Sequence, residues 1–127
     1  MSADLRDRLK AADVAAGRVY RDERPQGSLL SAVRLQVASD PRPSTYEGRQ
    51  VLRGTLVQAD CMAASRGEAD ELAESLIAAA EPEGVVGTTR FARSFVEASR
   101  TYSDREDNGA VTYVTSLDLR VWHQPAA

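Results

Sequence analysis

RQVLRGTLVQADCMAASRGEADELAESLIAAAE, residues 49–81, sets the reading of the whole chain. It reads as a long strand, a tight capped turn and one amphipathic helix. Ala69, Leu72, Ala73, Leu76, Ile77 and Ala80 recur at three- and four-residue spacing and therefore share one helical face. Glu68, Asp70, Glu71, Glu74 and Ser75 fill the opposite face. Ser65 stands where an N-cap belongs, with Glu68 three residues on, the capping-box pattern that satisfies orphaned N–H groups. Acidic residues in the first turn suit the positive end of the helix dipole. Pro82 and Gly84 stop the helix. A helix with one apolar face needs a sheet or another helix against it, and the preceding strand supplies the start of a sheet.

Working outward toward the N-terminus, residues 2–16 read as a first helix, capped by Ser2 or Asp4, with Leu5, Leu9, Ala12 and Ala16 as its apolar stripe and Gly17 as its stop. Residues 17–20 read as a short extended piece and residues 21–28, with Pro25 and Gly27, as a surface connection. Residues 29–39 form the first full strand, Val33, Leu35 and Val37 alternating with Arg34 and Gln36. Residues 40–50 form a loop, opened by Asp-Pro-Arg-Pro-Ser and long for a hairpin. In the second strand, residues 51–62, Val51, Val57, Ala59 and Cys61 share one side and Leu52, Leu56 and Met62 the other; partial burial on both faces is one reading of this pattern, and a second protein chain could cover the outer face.

Beyond the central helix, residues 83–87 turn the chain and residues 88–100 read as a third strand carrying Phe91, Phe95 and Val96. Residues 101–109 read as a polar, mobile hairpin tip. Residues 111–122 form the cleanest strand, with Val111, Tyr113, Thr115, Leu117, Leu119 and Val121 on one face and Thr112, Ser116, Asp118 and Arg120 on the other. Residues 124–127 read as a frayed tail. The expected fold is therefore α+β over residues 1–127 as one domain: a four-stranded, mainly antiparallel sheet with helices packed on it, in the order α-β-β-α-β-β.

Composition narrows the function. The formal net charge of -3 gives no global basic field for nucleic acid. A single cysteine, Cys61, excludes an internal disulfide and a multi-cysteine metal site. No apolar run approaches membrane-spanning length, and MSADLRDRLK lacks the apolar centre of a signal peptide, so a soluble protein made in a reducing cytoplasm is expected. Gly84-Val85-Val86-Gly87 has the wrong spacing for a phosphate loop and no lysine after it. His123, the sole histidine, reads as solvent-exposed beside the tail, and Cys61 as a buried structural thiol. The acidic helix face reads as an ordinary solvated surface, and Arg18, Arg21 and Arg24, interleaved with Asp22 and Glu23, as a mixed-charge surface. No catalytic residue, metal ligand or cofactor site emerges. Tyr46 and Arg49 flank the first long loop, and Arg100, Tyr102 and Arg105 lie in the second; tyrosine and arginine in such places mark candidate subunit or partner interfaces, against the plain alternative of ordinary mobile loops.

Several short stretches, in this order, resemble one family. They are Gly17-Arg18-Val19-Tyr20 after the first helix, Pro25-Gln26-Gly27 before the strand of residues 33–37, and Leu56-Val57-Gln58-Ala59-Asp60. Ser65-Arg66-Gly67-Glu68-Ala69 follows at the helix start, then Asp107-Asn108-Gly109 before a last strand ending Leu119-Arg120-Val121-Trp122. Over nearly the whole chain the arrangement resembles the tail-terminator and tail-completion, head–tail joining proteins of long-tailed phages and gene transfer agents. Cys61 and Met62 depart from it, standing where a bulkier aromatic strand end is expected. The resemblance implies a virion structural protein and not an enzyme. It implies a ring of identical subunits, a hexamer as a rule, at the head-proximal end of the tail. The implied partners are the chain itself, the tail tube protein and the head connector protein. The resemblance also implies that DNA passes through the lumen without specific binding, that no membrane is involved, and that assembly takes place in the host cytoplasm. Net acidity suits such a channel, where basic groups would capture phosphates. The alternatives are a connector (stopper or adaptor) subunit at the same junction, a nucleic-acid-binding α+β domain, and a small enzyme or ligand-binding domain.

Overall fold

The computed structural model describes residues 1–25, 27, 29–42, 44–45, 48–49, 51–105 and 109–126. Helix α2, Arg66–Ala80, forms where its periodicity puts it: Ala69, Leu72, Ala73, Leu76 and Ala80 are buried, and Ser65 Oγ accepts from the Glu68 N–H at 3.2 Å. Helix α1, Ser2–Ala11, is shorter than expected. Asp13, Ala15 and Ala16 take positive φ values of 60°, 53° and 53°, so the chain leaves the right-handed helix in a tight turn over Val14–Gly17. Such angles cost a non-glycine residue about 1–2 kcal/mol each. The turn tucks Val14 into the core in place of the expected Ala12 and Ala16, which stay exposed.

The strands are β1 (Val19–Arg21), β2 (Ala32–Ser39), β3 (Ser44–Thr45), β4 (Gly48–Arg49), β5 (Arg53–Ala63), β6 (Gly84–Val86), β7 (Thr89–Phe91), β8 (Phe95–Arg105) and β9 (Val111–Pro125). The α+β mixture stands, but the four-stranded sheet and the order α-β-β-α-β-β do not. The main sheet has seven strands, ordered β1-β2-β5-β9-β7-β6, with β8 also paired to β9; β3 and β4 form a separate two-stranded ribbon. The additional strands have physical origins. The short extended piece becomes β1 by pairing in parallel with β2, Val19 opposite Val33. The expected turn at residues 83–87 holds β6, and the expected third strand breaks into β7 and β8. β8 runs on through residues 101–105, expected in a loose tip, and the residues expected in a frayed tail begin with Gln124 and Pro125, which continue β9 opposite Arg90 and Thr89.

Both helices lie on one face of the sheet. Leu5, Leu9, Leu72 and Leu76 meet Val33, Leu35, Val57, Ala59, Leu117, Leu119 and Val121 in a single core, the odd-numbered positions of β2, β5 and β9 pointing inward. β9 is the spine, with β5 along one side and β7 and β8 along the other.

Candidate assembly surface

β8, FVEASRTYSDR, is the least covered strand, with all its residues exposed except the half-buried Val96. It holds its conformation through a long antiparallel ladder with β9, from Phe95 opposite Arg120 to Arg105 opposite Val111, with a bulge between Val96 and Ala98. Two cross-strand ion pairs clamp it. Arg100 donates to both Asp118 oxygens at 2.9 and 3.0 Å, and Arg120 donates to both Glu97 oxygens at 2.9 and 3.3 Å. At its far end the Arg66 guanidinium of α2 donates to the carbonyls of Val114 and Tyr102 and lies 5.6 Å from the Tyr113 ring centre.

The register sorts the exposed side chains. Arg100 lies opposite Ser116, Tyr102 opposite Val114 and Phe95 opposite Arg120, so all share the sheet face turned away from the helices, and Trp122 follows Arg120 on that face. Tyr102, Phe95 and Trp122 keep 44, 51 and 37% of their surface exposed. The Trp122 ring rests on Gly54 so closely that a Cβ there would stand 2.8–3.0 Å from ring carbons. Aromatic rings mixed with arginines form the composition enriched where proteins bind proteins.

In the middle of this face lies Asp60, only 1% exposed. Arg34 of β2 and Ser116 of β9 stand directly opposite it on either side. Ser116 Oγ donates to its Oδ1 at 2.7 Å, Gln58 Nε2 to the same oxygen at 3.1 Å, and the Arg34 guanidinium to Oδ2. Burial pushes its pKa up, but these hydrogen bonds and the Arg34 charge outweigh burial and hold the carboxyl below its ordinary value. Burial, and then the Asp60 charge, raises the Tyr102 phenol pKa, so the buried carboxylate is felt on β8.

Of the residues expected at an interface, Arg100 and Tyr102 come together two positions apart on one face. Arg105 donates to the Gly109 carbonyl at 3.4 Å at the base of the hairpin tip. Arg49 falls in β4 opposite Ser44, and Tyr46 lies outside the described residues. Phe95 and Trp122 were not singled out; their position at the open end of alternating strands was the available signal.

His123 is not solvent-exposed but 4% exposed, between Arg53 of β5 and Phe91 of β7. Its Nε2 lies 2.7 Å from Thr55 Oγ1, and that hydroxyl donates to Asp40 Oδ1 at 2.9 Å, so the imidazole is the donor to threonine. Burial, followed by the Arg53 charge, lowers the His123 pKa, with Asp40 pulling the other way. A histidine whose folded pKa is depressed contributes stability that is full above its unfolded pKa of about 6.5 and is lost as pH falls through the folded value. Thermal melts of His123→Gln should therefore show a flatter stability profile between pH 7 and 5 than the parent; identical slopes would place the titration elsewhere.

Cys61 is fully buried, its thiol pushed up to about 12 by burial and by Asp60, which makes it inert. Among the described residues there is no group of three or more histidine, cysteine or acidic side chains placed to hold a metal ion, and no helix long and apolar enough to cross a membrane. A cleft of about 410 Å3 lies between Leu52, Val85, Phe91 and Gln124, and neither Cys61 nor His123 lines it.

No protein-family model and no curated protein matches the sequence. Among solved structures the chain is similar to one from the virion of a native gene transfer agent (GTA) particle, with a TM-score of 0.63 and 16% identity, covering 97% of this chain and 94% of that one. The fold described above is thus similar, over almost the whole of both chains, to that of a chain from a gene transfer agent virion.

Proposed function

We propose that this chain is a structural subunit of a phage-like particle: a tail terminator that assembles into a ring, a hexamer by the resemblance of its sequence, at the head-proximal end of the tail. The ring stops growth of the tail tube, presents a surface to the head connector and leaves a lumen for DNA. The protein is a scaffold and not an enzyme, and its partners are copies of itself, the tube protein and the connector. The observation that carries this reading is the fold shared with a gene transfer agent virion chain over 97% of this sequence. The open face bearing Arg100, Tyr102, Phe95 and Trp122 is the candidate contact surface, joined by Tyr46, Arg49 and Arg105. The net charge of -3 suits passage of DNA without capture.

Deleting the gene should give particles whose tails are overlong or not joined to heads, scored by electron microscopy. Tails of normal length joined to heads would remove the terminator role. A connector subunit at the same junction is the neighbouring reading, and its loss would instead leave filled heads that leak DNA.

A further inference from the structure

The main sheet has two flanks, and each carries an open edge. On one flank β8 pairs with β9 and with no other strand among the described residues. On the other, β1 covers β2 at Val33, Arg34 and Leu35, and the rest of β2, residues 36–39, is exposed with no strand beyond it among the described residues. Soluble proteins ordinarily protect such edges with proline, bulges or short length. Each edge carries one bulge, at Val96–Ala98 and at Val37–Ser39, but neither Phe95–Arg105 nor residues 36–39 contain a proline, and β8 offers eleven residues.

The directions of the two edge strands match in a specific way. Each step from β2 to β5, from β5 to β9 and from β9 to β8 is antiparallel. After three reversals β8 runs opposite to β2. A second copy set beside the first in the same orientation therefore brings its β8 to the neighbour's β2 running the opposite way, and the alternation continues unbroken across the boundary. Joining β8 to β8 would instead require one copy to be turned over, and would end at a dimer.

We infer that copies of this chain join edge to edge, β8 of one adding antiparallel to residues 36–39 of β2 in the next. The two surfaces differ, so the contact is heterologous, and it closes into a ring if the rotation per step closes and grows into a filament if it does not. Gln36 lies in the same cross-strand row as Gln58, Asp118 and Ala98, and Ser39 in that of Leu56, Arg120 and Phe95, so a copy set level with the first brings residues 36–39 against the Phe95–Ala98 end of β8, and engaging the far half takes a stagger of several residues. A stagger of this kind is what tilts the strands of a closed sheet against its axis. The bulge between Val37 and Ser39 adds local twist at the joint. The contact rests on the ring reading above for its closure, while the pairing itself stands on the sheet.

Cysteine pairs test it. Single variants of the full chain, Gln36→Cys on one side and Ala98→Cys, Arg100→Cys and Tyr102→Cys on the other, all on the sheet face turned away from the helices, are melted to confirm folding, then oxidised mildly alone and in mixtures. The buried Cys61 stays silent in all of them. An intermolecular disulfide between a β2 variant and a β8 variant should form in at least one mixture and be absent from each variant alone. Dominant β8-to-β8 disulfides, or no cross-link in any mixture at millimolar protein, would overturn the pairing. Tail length in particles lacking the protein is scored separately: a β2–β8 cross-link together with normal tails would remove the terminator role and leave this contact standing.

Discussion

Replacing Asp60 with alanine should destabilise the fold by about 3–5 kcal/mol, the scale for removing one partner of a buried ion pair. The carboxylate is the hub of a row crossing three strands, with Arg34 on β2 and Ser116 on β9 directly opposite it. Its loss leaves the Ser116 hydroxyl, which is fully buried, without its acceptor. The Arg34 side chain retains 34% of its exposure and turns partly to water, which places the expected loss at the lower end of the range. Asp60→Asn keeps the shape and one acceptor oxygen and should cost less. The acid profile separates the two effects. A carboxylate with a depressed folded pKa contributes stability that is full above the ordinary pKa of about 4 and is lost as pH falls through the folded value. Denaturant midpoints across pH 2–6 should show a step that shrinks in both variants. A loss below about 1 kcal/mol for the alanine variant would mean that the row is decoration.

Phe91→Ala should cost a similar amount, about 3–5 kcal/mol. Phe91 is among the largest fully buried side chains, 1% exposed on β7. Its ring also carries the Arg8 guanidinium at 5.3 Å. Arg8, from α1, donates to the Ala80 carbonyl at 3.4 Å and to the Pro82 carbonyl. It thereby serves carbonyls at the end of α2, which would otherwise be orphaned at a terminus with no glycine cap. Burial lowers the Arg8 pKa, because the guanidinium is taken partly out of water. Truncating Phe91 therefore opens a cavity and removes the platform under a helix cap. Phe91→Leu should cost less than about 1.5 kcal/mol, and a double-mutant cycle with Arg8→Met should be non-additive. Strict additivity would show that the ring and the cap act independently.

What could be read from the sequence followed from the range over which each signal acts. α2 was legible because its cap and stripe are local: Ser65, Glu68, Leu72 and Leu76 declare themselves within three turns. β9 was legible because strict alternation survives over many residues. The extent of the sheet was not. β1, β6 and β7 have three residues each, too few to show a period, and each exists through a neighbour distant in sequence. The break between Phe91 and Phe95 falls at Ala92-Arg93-Ser94, which contains no glycine or proline to announce it. His123 looked like part of a loose end because its burial depends on Thr55 and Asp40, on a strand and loop far away in the chain. In the candidate surface, the Arg100 and Tyr102 spacing was visible in the sequence, whereas the company of Phe95 and Trp122 follows from the register with β9.

The placement of β9 at the centre of the sheet has a consequence for how the protein is made. Its partners in β5 precede it by fifty to seventy positions, from Ala63 opposite Tyr113 to Arg53 opposite His123. A ribosome therefore delivers β1 through β8 before the strand that unites them emerges, and at about 5–20 residues per second the early strands wait seconds with their apolar sides uncovered. Nascent chains halted before β9 should thus be protease-sensitive throughout, and native resistance should arrive all at once when the spine clears the exit tunnel.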